Sequence, residues 1–351
     1  MPTPPGETRH ILISGGAGFI GSHLCDLLLS RGDTVTVIDN LSTGRRENLP
    51  TRHDRLRFIE ADLGAALGAL GAGERFDAIY HLAAAVGVEL VVRDPIRTIE
   101  TNVELTSAVL RFARERARPD CPGGIPTLVA STSEVYGKGA KSPFHEEDDV
   151  VYGPTSKARW SYAYSKAIDE HLVLAYHRQH AFPGVIARFF NTVGPRQVGT
   201  YGMVVPRFVE AALAGRDLEV YGDGRQSRCF CHVADVVSVL PRLLETPGCT
   251  GRVFNIGSDR SVTIRELAEL VVGLLGSKSA IRSKAYDEAY ADGFEDLRER
   301  RPDISRINGA VGFTPSIDLE RIILDVAEDV RSRGEGAVPG GPRRGEGTAA
   351  C

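Results

Sequence analysis

Tyr162-Ala-Tyr-Ser-Lys166 carries a tyrosine and a lysine four residues apart. On a helix that spacing puts phenol and ammonium on one face. A free phenol has a pKa of about 10 and is a weak base at neutral pH. A neighbouring ammonium favours the phenolate and lowers that value, so the pair is suited to taking a proton from an alcohol. Tyr164 has no such partner, because position 168 is Ile168. Upstream, an apolar run ends in Ser131-Thr132-Ser133-Glu134-Val135-Tyr136-Gly137. Thr132 is placed to share a hydrogen bond with the oxygen that Tyr162 deprotonates, with Ser133 and Glu134 beside it. A Tyr/Lys pair on a helix is commonly a surface feature, so its meaning depends on what accompanies it.

What accompanies it is a glycine-rich turn. Gly15-Gly-Ala-Gly18-Phe19-Ile20-Gly21 follows the apolar run His10–Ser14 and opens a helical pattern. Glycine is required where the turn is tight, where backbone N–H groups meet a pyrophosphate, and where helix approaches strand. The helix N-terminus then faces the phosphates with its partial positive charge. Asp39, with Asn40 after it, closes the next strand and is placed to accept from the adenosine ribose hydroxyls. An acid there repels a 2′-phosphate, which favours NAD over NADP. Arg45 and Arg46 read as a solvated loop. Asp62 and Leu63 after the third strand, and Leu82, Ala83 and Ala84 after the fourth, are expected to line the same crevice. A bound nicotinamide would add its positive charge to that of Lys166 near the phenol.

These residues need a scaffold that brings strand ends together. Short apolar runs at His10–Ser14, Thr34–Asp39, Arg57–Asp62, Ala78–Ala84, Thr127–Thr132 and Gly184–Phe190 alternate with helical patterns at Phe19–Ser30, Thr98–Ala117 and Tyr162–His180. That rhythm predicts an α/β fold, a Rossmann-like doubly wound parallel sheet. Ligands then bind at the carboxyl ends of the strands. After Asn191 the rhythm breaks into shorter mixed elements: helices at Val204–Ala214, Ala234–Glu245, Ile264–Leu275 and Leu319–Val330, and strands at Leu218–Val220 and Arg252–Gly257. A smaller, interleaved C-terminal substrate domain is expected. The division is 1–190 for dinucleotide binding, with 229–257 returning to it, and 191–228 with 258–330 for substrate. Residues 331–351, rich in Gly, Pro and Arg, read as a disordered tail.

Composition limits the partners. Of 351 residues, 42% are apolar and 25% charged, which suits a globular chain, and a net charge of −4 supplies no pull towards nucleic acid or an anionic membrane. No apolar stretch reaches the roughly 18 residues of a membrane span. Six cysteines are too sparse for a disulfide framework. Cys229-Phe-Cys231-His232 lacks a second ligand pair at zinc spacing and reads as alternating strand residues, so no metal is expected. A cytoplasmic location is the expectation.

Taken together, GGAGFIGSH (15–23), VIDN (37–40), YHLAA (80–84), STSEVYG (131–137), YAYSK (162–166), RFFNTVGPR (188–196), SRCFCHVAD (227–235), FNIG (254–257) and RRPD (300–303) resemble the extended short-chain dehydrogenase/reductases of the NAD-dependent epimerase/dehydratase group. The resemblance spans about residues 10–330. It implies NAD as cofactor, a nucleotide sugar, most simply a UDP-sugar, as substrate, and a homodimer paired through a four-helix bundle from Thr98–Ala117 and Tyr162–His180. It also implies substrate contacts from Val88, Thr132, Asn191, Arg196, Val205, Arg228 and Arg301, with Asn191 and the two arginines Arg228 and Arg301 on the diphosphate. A guanidinium fork suits phosphate oxygens. The bland alternative for Arg301 is a solvated face, as it is for Arg111–Arg118.

The implied reaction begins by oxidation at the sugar C4. Return of hydride to the other face makes a 4-epimerase; loss of CO2 from a 4-keto uronic acid makes a decarboxylase; loss of water makes a 4,6-dehydratase. The dehydratases carry an Asp where this chain has Ser133, which disfavours dehydration. Thr-Ser-Glu resembles the UDP-glucuronate decarboxylases, whereas Arg159-Trp-Ser-Tyr162-Ala-Tyr-Ser-Lys-Ala looks more like the epimerases. The preferred reading is a UDP-glucuronate 4-epimerase interconverting UDP-glucuronate and UDP-galacturonate. The alternatives are the decarboxylase, the dehydratase and, from another class, a non-catalytic NAD-binding sensor. Glu134 close to a uronate carboxylate is the difficulty for the preferred reading.

Overall fold

The computed structural model describes residues 8–71, 73–85, 94–139, 141–199, 203–284 and 299–336. The strands β1 (His10–Ser14), β2 (Thr34–Asp39), β3 (Leu56–Glu60), β4 (Ala78–His81), β5 (Thr127–Thr132), β6 (Gly184–Phe189) and a later one, β11 (Arg252–Ile256), form one sheet. Its order is β11-β6-β5-β4-β1-β2-β3, and every neighbouring pair is parallel. The order reverses after β1, between β1 and β4, which is where a crevice opens at the carboxyl ends of the strands. The α/β reading of the sequence holds.

Side chains alternate across the sheet. Ile11, Ile13, Val35 and Val37 face one side, against Leu24 and Leu28 of α1 (Phe19–Ser30) and Val236 and Leu240 of the later helix α6 (Val233–Glu245). Leu12, Ile38, Ile79, Val129 and Ile186 face the other. There they meet α2 (Leu63–Ala69), α3 (Pro95–Glu115) and α4 (Ser161–His180). Helix α3 starts where Asp94 accepts from the Arg97 N–H and Pro95 occupies the first turn, so both signals act together.

A third apolar cluster lies outside the sheet. It joins Val205, Phe208 and Val209 of α5 (Val204–Leu213), Leu267 and Val271 of α7 (Ile264–Leu275), and Ile322, Ile323 and Val326 of α9 (Leu319–Gly336). Short strands complete this region: β7 (Thr192–Val193), β8 (Leu218–Tyr221), β9 (Ser227–Cys229), β10 (Cys231–His232), β12 (Ser261–Thr263), β13 (Ile281–Lys284) and β14 (Glu299–Arg300). Two boundaries differ from expectation. Helix α8 (Ser305–Val311) lies within the stretch assigned to the substrate unit, yet Ile307 and Val311 pack into the first core. Helix α9 continues to Gly336, six residues into the stretch read as tail, because Arg333 pairs one turn back with Asp329 and extends the helix. Among the described residues, no helix is long and apolar enough to cross a membrane.

Candidate active site

A cavity of about 960 Å³ opens over the carboxyl ends of the strands. Gly15, Gly18, Phe19, Ile20 and Gly21 line it, with Asp39, Asn40, Asp62, Leu63, Leu82, Ala83 and Ala84. Thr132, Ser133, Glu134, Tyr162 and Lys166 line it too, as do Asn191, Arg196, Val205 and Arg228. All of these were singled out in the sequence, and one cavity gathers them. Val88 lies outside the described residues. Arg301 is not among the lining residues; its side chain is 40% exposed, and its Nε stands 4.0 Å from Glu299. Its neighbour Arg300 lines the cavity instead. Strand alternation across β14 decides between them, since Glu299 is exposed and Arg300 buried.

The glycine turn is shaped for close approach. Gly15 has φ +73°, and a Cβ on it would stand 2.7 Å from the Ala83 nitrogen. A Cβ on Gly21 would stand 2.2 Å from the Gly15 carbonyl oxygen. The α1 N-terminus, at Gly18, has no side-chain cap, so its first N–H groups are left for a ligand oxygen. Asp39 holds the turn as well: its Oδ2 accepts from the Ala17 N–H at 2.9 Å and its Oδ1 from the Leu41 N–H at 2.8 Å. Asn40 donates to Asp62 at 2.8 Å, tying two lining strands together. Strand β4 was expected to reach Ala84; it ends at His81, and Leu82–Ala85 leave the sheet to line the crevice. A turn that no Cβ fits, an uncapped helix end and an acid at the end of β2 suit the pyrophosphate and ribose of NAD. Arg45, read as a solvated loop residue, also lines this end.

Helix α4 positions Tyr162 and Lys166. It is fastened to the sheet by Glu170, which takes both Arg188 forks (2.9 and 2.6 Å) and the Ser131 hydroxyl. Arg188 is also stacked 4.7 Å over the Tyr136 ring. A bidentate, nearly buried pair of this kind fixes an element's rotation. Tyr162 thereby meets Thr132, to which its hydroxyl is hydrogen-bonded. Burial, then Glu134, push the Tyr162 phenol above its ordinary value, and the Thr132 hydrogen bond pulls against them. The net direction is upward, opposite to the fall expected for the phenol. The Lys166 ammonium is engaged elsewhere, 2.6 Å from the Asp169 carboxylate, with side chains only 3% and 1% exposed.

Glu134 is flanked by two arginines. Its Oε2 is 2.7 Å from Arg159, and its Oε1 is bonded to Arg300. Burial pushes the Glu134 carboxyl up, but Arg300 and then Arg159 outweigh it and bring the pKa to about 2. The three groups therefore carry a net charge of +1 at the end of β5, beside Thr132 and Tyr162. Arg159 and Arg300 were not assigned from the sequence. The signal for Arg159 was its place three residues before Tyr162; that for Arg300 was the alternation in β14.

Elsewhere on the cavity wall, Asn191 donates to the Cys229 carbonyl at 3.2 Å and Arg228 to the Ser227 carbonyl at 2.7 Å. Arg196 is held with φ +68°, its side chain 2.7 Å from Asp26 and its N–H on Asp329. Arg97, Glu104, Arg207, Tyr221 and Gln226 also face the cavity.

The NAD dependent epimerase/dehydratase family matches residues 11–257. The UDP-N-acetyl-alpha-D-glucosaminuronate decarboxylase of Bacillus cytotoxicus is 39% identical over 314 residues, covering 89% of this chain and 95% of its own. UDP-glucuronic acid decarboxylase 3 of Arabidopsis thaliana is 38% identical over 328 residues, covering 92% and 89%. Among solved structures, a Thermus thermophilus UDP-glucose 4-epimerase in complex with NAD superposes with a TM-score of 0.77 at 29% identity, covering 92% of this chain and 99% of that one.

Proposed function

The chain belongs to the NAD dependent epimerase/dehydratase family, and we propose that within it this site decarboxylates a UDP-linked uronic acid. The observation that carries the reading is the Arg159–Glu134–Arg300 cluster beside the Thr132–Tyr162 pair. A lone carboxylate there would repel a uronate. Two guanidiniums reverse the sign, and the net positive cluster suits a sugar carboxylate. This removes the difficulty that Glu134 posed. The same cluster would serve a 4-epimerase of uronates, the reading first preferred, but the relatives similar over nearly the whole chain favour the decarboxylase. Ser133 in place of an acid argues against dehydration.

Tyr162, aided by Thr132, takes the proton from the sugar O4 and returns it at the end of the cycle. NAD, held by the glycine turn and Asp39, supplies the hydride acceptor and donor when bound. A 4-keto uronic acid is a β-keto acid: when its C5–carboxyl bond lies parallel to the carbonyl π system, the bond breaks and the electron pair passes to O4 as an enolate beside the Tyr162 hydroxyl. C5 then takes a proton from water to leave the 4-keto pentose. Arg159 and Arg300 orient the carboxylate for that alignment. The buried, ionised Glu134 keeps the sugar carboxylate out of its own place between the arginines, so that carboxylate is held in one posture. Asn191 and Arg228 are placed for the UDP diphosphate.

Product analysis by NMR tests this. With NAD, and UDP-glucuronate or its 2-acetamido analogue, the expected product is a UDP-pentose with CO2. UDP-galacturonate, with the carboxylate kept, would replace the proposal by the 4-epimerase.

A further inference from the structure

We propose that Asp169 is a positioning residue, anchoring the Lys166 ammonium and, through its own charge, setting how much of that ammonium's field reaches the Tyr162 phenol. The inference rests on the reading of Tyr162 as the base, and deepens it. Lys166 and Asp169 are one helical turn apart on α4, at 2.6 Å, and water is nearly excluded from both. A buried ammonium at that distance from an anion behaves at longer range as a dipole rather than as a charge.

The surroundings leave this role to Asp169. From β4, His81 stands nearby; burial, and then Lys166, lower its pKa to about 3, so it is neutral. It bridges Ser14 at 2.7 Å and Thr106 of α3 at 3.2 Å. Burial pushes the Asp169 carboxyl above its ordinary value, and Lys166, then the Thr106 hydroxyl, pull it back. Ser14 in turn approaches the Ala83 N–H at 3.4 Å, in the segment lining the dinucleotide end. The chain Ser14–His81–Thr106 is uncharged and wholly buried, so it orients Asp169 without contributing charge. On the same helix, Glu170 is spent on Arg188 and Ser131. Beyond β5, Glu134 is spent on Arg159 and Arg300. Arg97 and Glu104 of α3 face the cavity. Asp169 is thus the carboxylate bonded to Lys166, and its Oδ1 has no hydrogen-bond partner among the described residues. Its negative charge pushes the Tyr162 phenol up, alongside burial and Glu134.

Asp169→Asn separates this role from simple packing. Without the carboxylate, the ammonium acts on Tyr162 undiluted, so the phenol loses its proton at lower pH. The ammonium, having lost its counter-ion, also gives up its proton at lower pH. Both limbs of the kcat–pH profile, measured with NAD and UDP-glucuronate, are expected to move acidward by about one unit. In ¹³Cε-lysine NMR of the protein without substrate, the Lys166 resonance should titrate at lower pH than in the wild type. Asp169→Glu keeps the charge, so both limbs should stay in place while kcat falls, and this variant serves if the Asn variant does not fold. A uniform fall in kcat with unmoved limbs, or an unchanged lysine titration, would overturn the proposal. Limbs that shift equally in the Glu variant would overturn it too. If Tyr162→Phe retains turnover, the base assignment fails, while the lysine titration still decides the role of Asp169.

Discussion

Replacing Glu134 by Gln removes one charge and almost no volume, so its consequences are electrostatic. In the folded chain the Glu134 carboxyl is pulled from 4.5 to about 2: burial opposes ionisation, and Arg300 and Arg159 overcome it. The side chain is only 13% exposed, so solvent screens this little. That displacement corresponds to about 3 kcal/mol of stability at neutral pH. The folded-state value is depressed, so the contribution is complete above about pH 4.5 and is lost as pH falls towards 2. Paired urea titrations of wild type and Glu134→Gln at pH 7 and pH 3 read it. The expected gap is about 3 kcal/mol at pH 7, falling to less than half of that at pH 3. The same substitution raises the cluster's charge from +1 to +2. KM for a uronate substrate should therefore hold or fall while kcat falls by about 100-fold. No gap at pH 7, or an equal gap at both pH values, would refute the electrostatic reasoning.

Gly21→Ala places a Cβ 2.2 Å from the Gly15 carbonyl oxygen, so NAD affinity measured by calorimetry should fall about 100-fold. Gly68→Ala, with nothing within 4 Å, should leave it unchanged. Arg188→Leu strands the buried Glu170 carboxylate and should cost about 3–5 kcal/mol in denaturant melts, with α4 loosened and turnover lost at temperatures where the wild type still works. Tyr162→Phe removes the proton acceptor but little packing, so kcat should fall about 10²–10⁴-fold with melting behaviour unchanged.

The dinucleotide end of the site was legible because its constraints are local. A glycine turn between strand and helix, and an acid at the end of the next strand, are contiguous signals, and Gly15, Gly18 and Gly21 all line the cavity. Tyr162, Lys166 and Thr132 were legible for the same reason. The charges around them were not. Whether Lys166 acts on Tyr162 or is held by Asp169 depends on burial and on Thr106 and His81, which are far away in sequence. Arg300 and Arg301 are adjacent, and only the pairing of β14 with β9 tells which faces inward. Arg159 meets Glu134 across 25 positions, and Arg188 of β6 reaches Glu170 of α4. Domain edges blurred similarly: α8 carries no local sign that Ile307 belongs to the first core.

The reaction itself is tested most directly by following one carbon. With UDP-glucuronate labelled at C6 and NAD supplied, the label should leave as CO2 at the rate the UDP-pentose forms, and neither should form with Tyr162→Phe. Label retained in a six-carbon uronate product would contradict the account.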